Sequence, residues 1–434
     1  MAKTFREWDL GQRWLFPPSV MELVPQGHLA HFVRDTVRED LDLDAILSTY
    51  EEERGFPPYH PTMMTALLLY AYAQGVYSSR KIARACEERV DFMAVTGMQK
   101  PDFRTVSDFR KRHLAALSDL FSQVLRLCQK AGMVKLGHVA LDGTKIKANA
   151  SKHKAMSYER MQASERALAE EVRGWLERAE QEDTDEDREL GREKRGDELP
   201  EWVKSKQERL TRIRAAKRAL EQEAAAAAAA HRKSDDPPSD APPQGKPDPK
   251  KQRNFTDPDS RIMKTKDGFE QAYNSHAAVD AGSQVIVAAT LTNVQNDVRE
   301  MHDLLHQIRA NTGRQAKEIS ADSGYCSEEN LRELSWRGIR GYVATGRQKH
   351  GRAAATYGRA WSSRWTRRMT TKLKRAAHRS RYRLRKVTVE PVFGQIKEAF
   401  GFRRFLLRGL AKVKEEWLLI CAVHNLRKLA IARR

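Results

Sequence analysis

Three acids stand where a carboxylate could do chemistry. Asp142 closes the apolar run Val139-Ala-Leu and precedes Gly143-Thr144-Lys145. Asp322 closes Ile319-Ser-Ala and precedes Ser323-Gly324-Tyr325, and Glu390 opens the amphipathic stretch Val389-Glu390-Pro391-Val-Phe-Gly-Gln-Ile-Lys397. Carboxylates at strand ends project from the edge of a sheet onto rigid support. Their hard oxygens suit Mg2+, which keeps several waters and takes phosphate oxygens. Two such ions, about 3.5–4 Å apart, clamp the attacking and leaving oxygens of an in-line phosphoryl displacement. An Asp followed by Gly or Ser is more often only a turn residue, so the three acids carry weight as a set.

The elements that must position them are read from periodicity. His138-Val-Ala-Leu-Asp142 is a strand with Gly143 just past its end. Two runs, 276–279 and 284–292, flank Asp280-Ala281-Gly282-Ser283 as a hairpin. Residues 318–322 form a short strand, 328–337 a helix and 341–345 another strand, followed by a basic region and an apolar helix at 387–429. Strands alternating with helices place this half in a mixed α/β class. The helix that carries Glu390 should begin at Thr388, since Pro391 is tolerated in a first turn, although Pro391 biases Glu390 itself away from helical angles.

Residues 20–132 read as short helices. His60-Pro61-Thr62 starts one, Gly75-Val76-Tyr77 ends it, and Ser78-Ser79 caps the next. Ser107, Arg110, Lys111 and Arg112 fall on or near one face of another helix. The pattern suits a helix-turn-helix-like DNA-binding module. Residues 151–253 break the strand pattern with Glu/Arg/Ala-rich stretches around the run Ala224–Ala230, then a proline-rich stretch. This is an insertion: a helical hairpin broken near 191–200, then a linker without fixed structure. The expected domains are thus 1–132, then 133–150 with 254–434, with 151–253 inserted.

Charge narrows the partner. The chain has 434 residues, 78 Lys+Arg against 58 Asp+Glu, and a net charge of +20. Residues 165–201 hold 15 acidic and 7 basic residues, a net of −8, whereas residues 347–386 hold 15 Lys+Arg and no acid. Tyr357, Trp361, Trp365 and Tyr382 are interleaved in that basic belt. Basic residues release counterions from phosphates, and aromatic rings stack on exposed bases. Nucleic acid is therefore the expected partner. The apolar runs, such as 63–72, are too short to span a bilayer. The first 19 residues lack the apolar core of a signal peptide. Cys86, Cys128, Cys326 and Cys421 have no paired spacing, so a reducing cytoplasm is expected, with no disulfide framework.

Competing groups are weighed by their surroundings. Asp280 reads as a turn residue, and Asp257 and Asp259 as a structural turn. Asp297, just after a long strand, is the strongest substitute for Asp322. His302 and His306 have the i, i+4 spacing of a helical zinc pair, with no third ligand evident. Trp336 is expected in the core, and Trp361 or Trp365 near DNA.

These residues also match a family. The segments Leu141-Asp142-Gly143-Thr144-Lys145-Ile146-Lys147-Ala148-Asn149-Ala150-Ser151, Thr256-Asp257-Pro258-Asp259-Ser260-Arg261, Ala321-Asp322-Ser323-Gly324-Tyr325 and Val389-Glu390-Pro391-Val392-Phe393-Gly394-Gln395-Ile396-Lys397 occur in this order. With them the chain resembles bacterial insertion-sequence transposases of the DDE type. The resemblance implies an RNase H-like catalytic domain, behind an N-terminal helical domain that binds the element's terminal inverted repeats. It implies that Asp142, Asp322 and Glu390 are catalytic and hold two Mg2+ ions, with Mn2+ as a substitute. Metal-dependent cleavage and strand transfer on double-stranded DNA follow from it, as does a homodimer on paired ends. A Tyr-x2-Arg-x3-Glu-x6-Lys signature known in related members fits at Glu390 and Lys397. Lys386 stands at the Arg distance, while Tyr382 and Arg385 are offset by one. Lys397, Lys386, Arg385, Tyr382, Lys145, Arg367, Arg368, Trp361 and Trp365 are accordingly the expected DNA contacts. A transposase-derived DNA-binding protein, or a nuclease or resolvase of the same fold, stays open as an alternative.

If the belt holds DNA backbone, replacing four or five of its Lys and Arg residues weakens binding and flattens the salt dependence of the affinity. DNA-binding isotherms over a range of salt concentrations check this; an unchanged slope means that the belt faces solvent.

Overall fold

Residue types decide the local structure from the first helix onward. The computed structural model describes residues 19–50, 57–190, 201–231, 246–265, 268–346 and 363–433. Helices α1 (Leu29–Glu39), α2 (Asp44–Leu47), α3 (Pro61–Ala73), α4 (Ser79–Glu88), α5 (Val90–Thr96), α6 (Phe103–Arg112) and α7 (Leu114–Lys130) fill the N-terminal third. His60 caps α3 by accepting from Thr62 N at 3.2 Å, and Pro61 occupies the first turn, where no backbone partner is lost. From Met64 to Ala73 every residue of α3 is buried, as expected for a helix that is apolar all round. Arg110, one of the residues expected on an outer basic face, is instead buried. Its guanidinium donates to Tyr72 Oη (3.2 Å), Tyr77 O (3.0 Å) and Ser79 Oγ (3.2 Å), so it ties three helical segments together.

The sheet begins with β1 (His138–Lys147) and continues, after an insertion, with β4 (Arg261–Thr265), β5 (Gly268–Asp280), β6 (Ile286–Thr292), β7 (Glu318–Ala321) and β8 (Arg340–Val343); the insertion itself carries the short strands β2 (Ala155–Ser157) and β3 (Gln252–Asn254). The six strands run in the order β4-β5-β1-β7-β8, with β6 also paired to β5. One edge of β5 takes β4 along residues 268–272 and β6 along 274–279, both antiparallel. Its other edge pairs antiparallel with β1, from Val139↔Asp280 to Lys147↔Ala272. Strands β1, β7 and β8 are parallel. The molecule is thus a mixed α/β structure with a helical N-terminal part.

Two sequence expectations need correction here. Strand β1 does not stop at Asp142; it runs on through Gly143 to Lys147, because Thr144-Lys-Ile-Lys alternates and pairs fully with β5. The insertion is not strand-free, since β2 and β3 pair at its root; three residues are too few to leave a periodic signal. The expected helical hairpin is present as α8 (Tyr158–Leu190) and α9 (Glu201–His231). It has a small core of its own, with Met161 and Leu168 against Leu210, Ile213 and Leu220. Glu165 is flanked there by Arg214 at 3.0 Å and Lys217 at 2.7 Å. Most of the proline-rich stretch lies outside the described residues.

Helices α10 (Glu300–Thr312), α11 (Glu328–Trp336), α12 (Arg364–Lys374), α13 (Ala376–Gly394) and α14 (Leu410–Ala432) complete the chain. α14 is buried along its middle, from Leu419 to Leu426, and packs on α7, α3 and β6, joining the helical part to the sheet. Its Asn425 side chain bonds both backbone groups of Ile286, at 2.8 Å each, beside the register shift between β5 and β6. Trp336, expected inside, is 84% exposed at the end of α11. All four cysteines are free thiols. Among the described residues no helix is long and apolar enough to cross a membrane.

The described part of the basic belt is helical. α13 starts at Ala376, twelve residues before the expected Thr388, so Pro391 lies inside the helix. A proline there leaves the carbonyl four residues earlier without its N–H partner. That carbonyl, Val387 O, accepts instead from Gln284 Nε2 at 3.0 Å. α13 then passes into a π-helical turn, Gln395–Ala399.

Candidate active site

The register of two parallel strands builds the site. Leu141 pairs with Ala321 at the last rung between β1 and β7. Asp142 and Asp322 are the next residues after that rung, Asp142 within β1 and Asp322 just past the end of β7. Beyond that rung β7 turns away into the short helical turn Ser323–Tyr325, with Asp322 as its cap, its Oδ1 accepting from Gly324 N at 2.9 Å. The same edge of β1 is covered again only at Lys147, by the chain around Arg403 to Phe405. An opening is left in the edge between the two, and Lys397 Nζ reaches into it to donate to Lys145 O at 2.8 Å.

α13 crosses β1, β5 and β7 and brings the third acid. Arg385 Nη1 donates to Asp142 Oδ2 at 2.6 Å, and Arg385 Nη2 lies 3.3 Å from Glu390 Oε1. The three expected acids therefore meet at one place, with one guanidinium spanning two of them. The Asp142 and Arg385 side chains are 15% and 14% exposed, and Glu390 is 48% exposed. Burial pushes the Asp142 carboxyl up to about 7; Arg385 works against this, while Asp322 and Glu390 add to it. The Asp322 carboxyl is raised by burial, opposed by the Gly324 N–H bond and reinforced by Asp297.

The remaining expected residues divide. Arg385, not Lys386, faces the acids; Lys386 is exposed. Tyr382 is held beside Arg385, and burial raises its hydroxyl. Lys145 lies 3.7 Å from Asp297 Oδ1. Arg367 and Arg368 are exposed on α12. Trp365 is partly buried against the core and lines a surface cavity with Arg368 and Met369. Trp361 lies outside the described residues. Asp280, as expected, is structural, accepting from Leu136 N (2.6 Å), Lys135 N (3.2 Å) and Gly282 N (2.8 Å). Asp257 accepts from Tyr273 Oη at 2.8 Å and Gly409 N at 3.1 Å, and Asp259 from Leu410 N at 2.9 Å. His302 Nδ1 pairs with Glu333 at 2.9 Å between α10 and α11.

Asp297, in sequence the strongest substitute for Asp322, lies beside it in the fold. His276 and Tyr325 went unrecognised in the sequence. His276 is wholly buried, with its Nδ1 2.5 Å from Tyr325 Oη, and burial lowers the imidazole to about 4. Its place in an apolar strand gave no signal. The one clue was Gly143 opposite it, where a Cβ would come within 2.9 Å of the imidazole.

The donor set fits a hard divalent cation. It consists of carboxylate oxygens, two of them drawn onto one positive group, and the buried Asp142 carries a charge that needs compensation. In this arrangement Arg385 supplies it. Among the described residues, no three His, Cys, Asp or Glu side chains stand close enough to hold a metal as they are.

Comparison with known proteins adds two matches. Residues 239–426 match the family model of the transposase DDE domain, and residues 18–112 match that of a transposase domain, DUF772. The first takes in Asp322 and Glu390, while Asp142 lies ahead of it; the second covers α1 to α6. No curated protein and no solved structure matches the chain.

Removing Arg385 leaves Asp142 buried without its cation. Arg385→Ala therefore costs about 3 kcal/mol of stability at a pH high enough to ionise Asp142 in both proteins. Against the effect of burial, Arg385 holds the Asp142 carboxyl down to about 7, so in the variant this carboxyl lies higher still; the neutral acid needs no counter-ion, so the deficit shrinks as the pH falls toward 7. Urea unfolding of both proteins across this range checks the sign; a deficit that does not change with pH means that Arg385 acts by packing alone.

Proposed function

We propose that the chain, which its two family matches indicate to be a DDE-type insertion-sequence transposase, binds the terminal inverted repeats of its element, cuts the DNA there and joins the freed end to target DNA. The observation that carries this reading is the placing of Asp142 and Asp322 one step beyond the rung Leu141↔Ala321, with Glu390 brought to Asp142 through Arg385. The antiparallel strands β6, β5 and β1 followed by parallel β7 and β8 support an RNase H-like catalytic domain. On this reading the domain is formed by residues 133–150 and 254–434, with 1–132 recognising the repeats.

Asp142, Asp322 and Glu390 would hold Mg2+. Bound there, the cation lowers the pKa of water and neutralises charge building up on the scissile phosphate. The protein's own groups position the reactants. The opening in the β1 edge admits the phosphodiester beside Asp142. Lys145 and Lys397 stand along that opening, and their charges attract its phosphate oxygens. Arg385, freed from the carboxylates when another cation takes its place, is available to a phosphate as well. Water attacks phosphorus and gives up a proton to solvent, the P–O3′ bond breaks, and the departing O3′ takes up a proton from solvent, which leaves a 3′-OH on the element end and a 5′-phosphate on the other side of the cut. That 3′-OH then attacks a target phosphorus, and the target P–O3′ bond breaks in turn. Neither step needs a covalent enzyme–DNA intermediate.

Incubation with Mg2+ and DNA carrying the native element ends tests this. Wild-type protein cuts and joins the ends, and Asp142→Asn loses both activities by about 100-fold or more while still binding the ends. An equally active Asp142→Asn protein overturns the assignment. Binding without cutting by wild type favours a transposase-derived DNA-binding protein.

A further inference from the structure

Asp297, in the loop before α10, approaches the Asp322 turn. A Cβ on Gly324 would lie 2.5 Å from Asp297 Oδ2 and 3.0 Å from Asp322 Oδ1. The two carboxylates thus converge on the one residue of that turn without a side chain. Asp297 is held there by Asn274 Nδ2, which donates to its Oδ1 at 2.6 Å, and Lys145 Nζ and His276 Nε2 each lie 3.7 Å from the same oxygen. Asn274 and His276 are two residues apart on β5, so they share a face of the strand, and both are wholly buried. Each keeps one polar atom without a hydrogen-bond partner, Asn274 Oδ1 and His276 Nε2. Buried polar atoms are rarely left so, and such atoms need an explanation. Here they gather at a carboxylate that already faces another carboxylate. Two negative groups held together in a half-buried site repel one another unless positive charge lies near them, and Lys145 supplies it on the Asp297 side.

We propose that Asp297 is a fourth carboxylate of the cation site, a positioning residue that adds its charge next to Asp322, with Asn274 and His276 as its support. The inference rests on the proposed function, since it presumes that Asp322 holds a cation. It assigns a role to the absence of a side chain at Gly324, which leaves room for the second acid. The charge of Asp297 can be separated from its shape. Asparagine in its place still offers an oxygen to Asn274 Nδ2 and fills the same volume, so it removes the charge alone.

Calorimetric titration of Mn2+ into the full-length protein without DNA tests this. Asp297→Asn weakens Mn2+ binding about 10-fold or more, the size of effect seen when a partner of a metal ligand is lost. Its melting temperature without metal stays close to that of wild type. Gly324→Ala, which pushes the Asp297 carboxylate aside, weakens binding in the same direction and carries the test should Asp297→Asn fail to fold. If Asp297→Asn binds Mn2+ as tightly as wild type while Asp142→Asn does not, Asp297 is only structural and the inference is overturned, with the proposed function intact. If Asp142→Asn also binds as wild type does, the cation site itself is misplaced and both readings fall.

Discussion

Placing carboxylates side by side in a half-closed cleft is the constraint on which the rest of the structure depends. Such groups repel and lose solvation together, so each is drawn toward its neutral form; the rise of Asp142 to about 7 is the sign of it. The backbone nevertheless forces Asp142 and Asp322 together, because parallel pairing in register ends at Leu141↔Ala321. What makes the arrangement tenable is positive charge brought from another element, the Arg385 guanidinium on α13. The site is a place where the fold keeps a standing demand for a cation. On the proposed function, Arg385 meets that demand until a divalent ion and a phosphodiester arrive.

That demand explains features away from the acids. α13 has to run continuously from Tyr382 past Arg385 to Glu390, so the proline at 391 is accommodated inside it and Gln284 takes the carbonyl that Pro391 leaves open. The α13 helix is anchored across the sheet, and the sheet is backed by α14, whose Asn425 satisfies Ile286 where the β5–β6 register shifts. α14 in turn packs on α7 and α3, so the N-terminal helices rest on the same scaffold that fixes the acids. The glycines at 143 and 324 act more locally, letting His276 approach β1 next to Asp142 and Asp297 approach the turn at Asp322.

Much of this was legible in the sequence. The three acids stood out because Asp142 and Asp322 each closed an apolar run and Glu390 opened an amphipathic one, and the structure brings all three to one place. The hairpin at Asp280 and the helical insertion were visible as turn chemistry and composition. What could not be read was long-range pairing. Asp142 looked like a strand end because hydrophobicity stops there, yet the strand continues wherever β5 supplies a partner. The signature spacing around Glu390 left Lys386 and Arg385 as alternatives for the basic partner. With the helix begun at Ala376, Arg385 turns toward Asp142 and Lys386 toward solvent. Trp336 was expected inside on its size alone, but it closes α11 at the surface. Asp297 could be ranked only as a rival of Asp322, since nothing in one dimension shows that a glycine leaves room for both.

The most direct measurement is anomalous scattering from Mn2+ in crystals of the protein bound to element-end DNA. The account predicts a Mn2+ peak within ligand distance of both Asp142 and Asp322. A bound Mn2+ lying elsewhere, with those two carboxylates out of its reach, would contradict it.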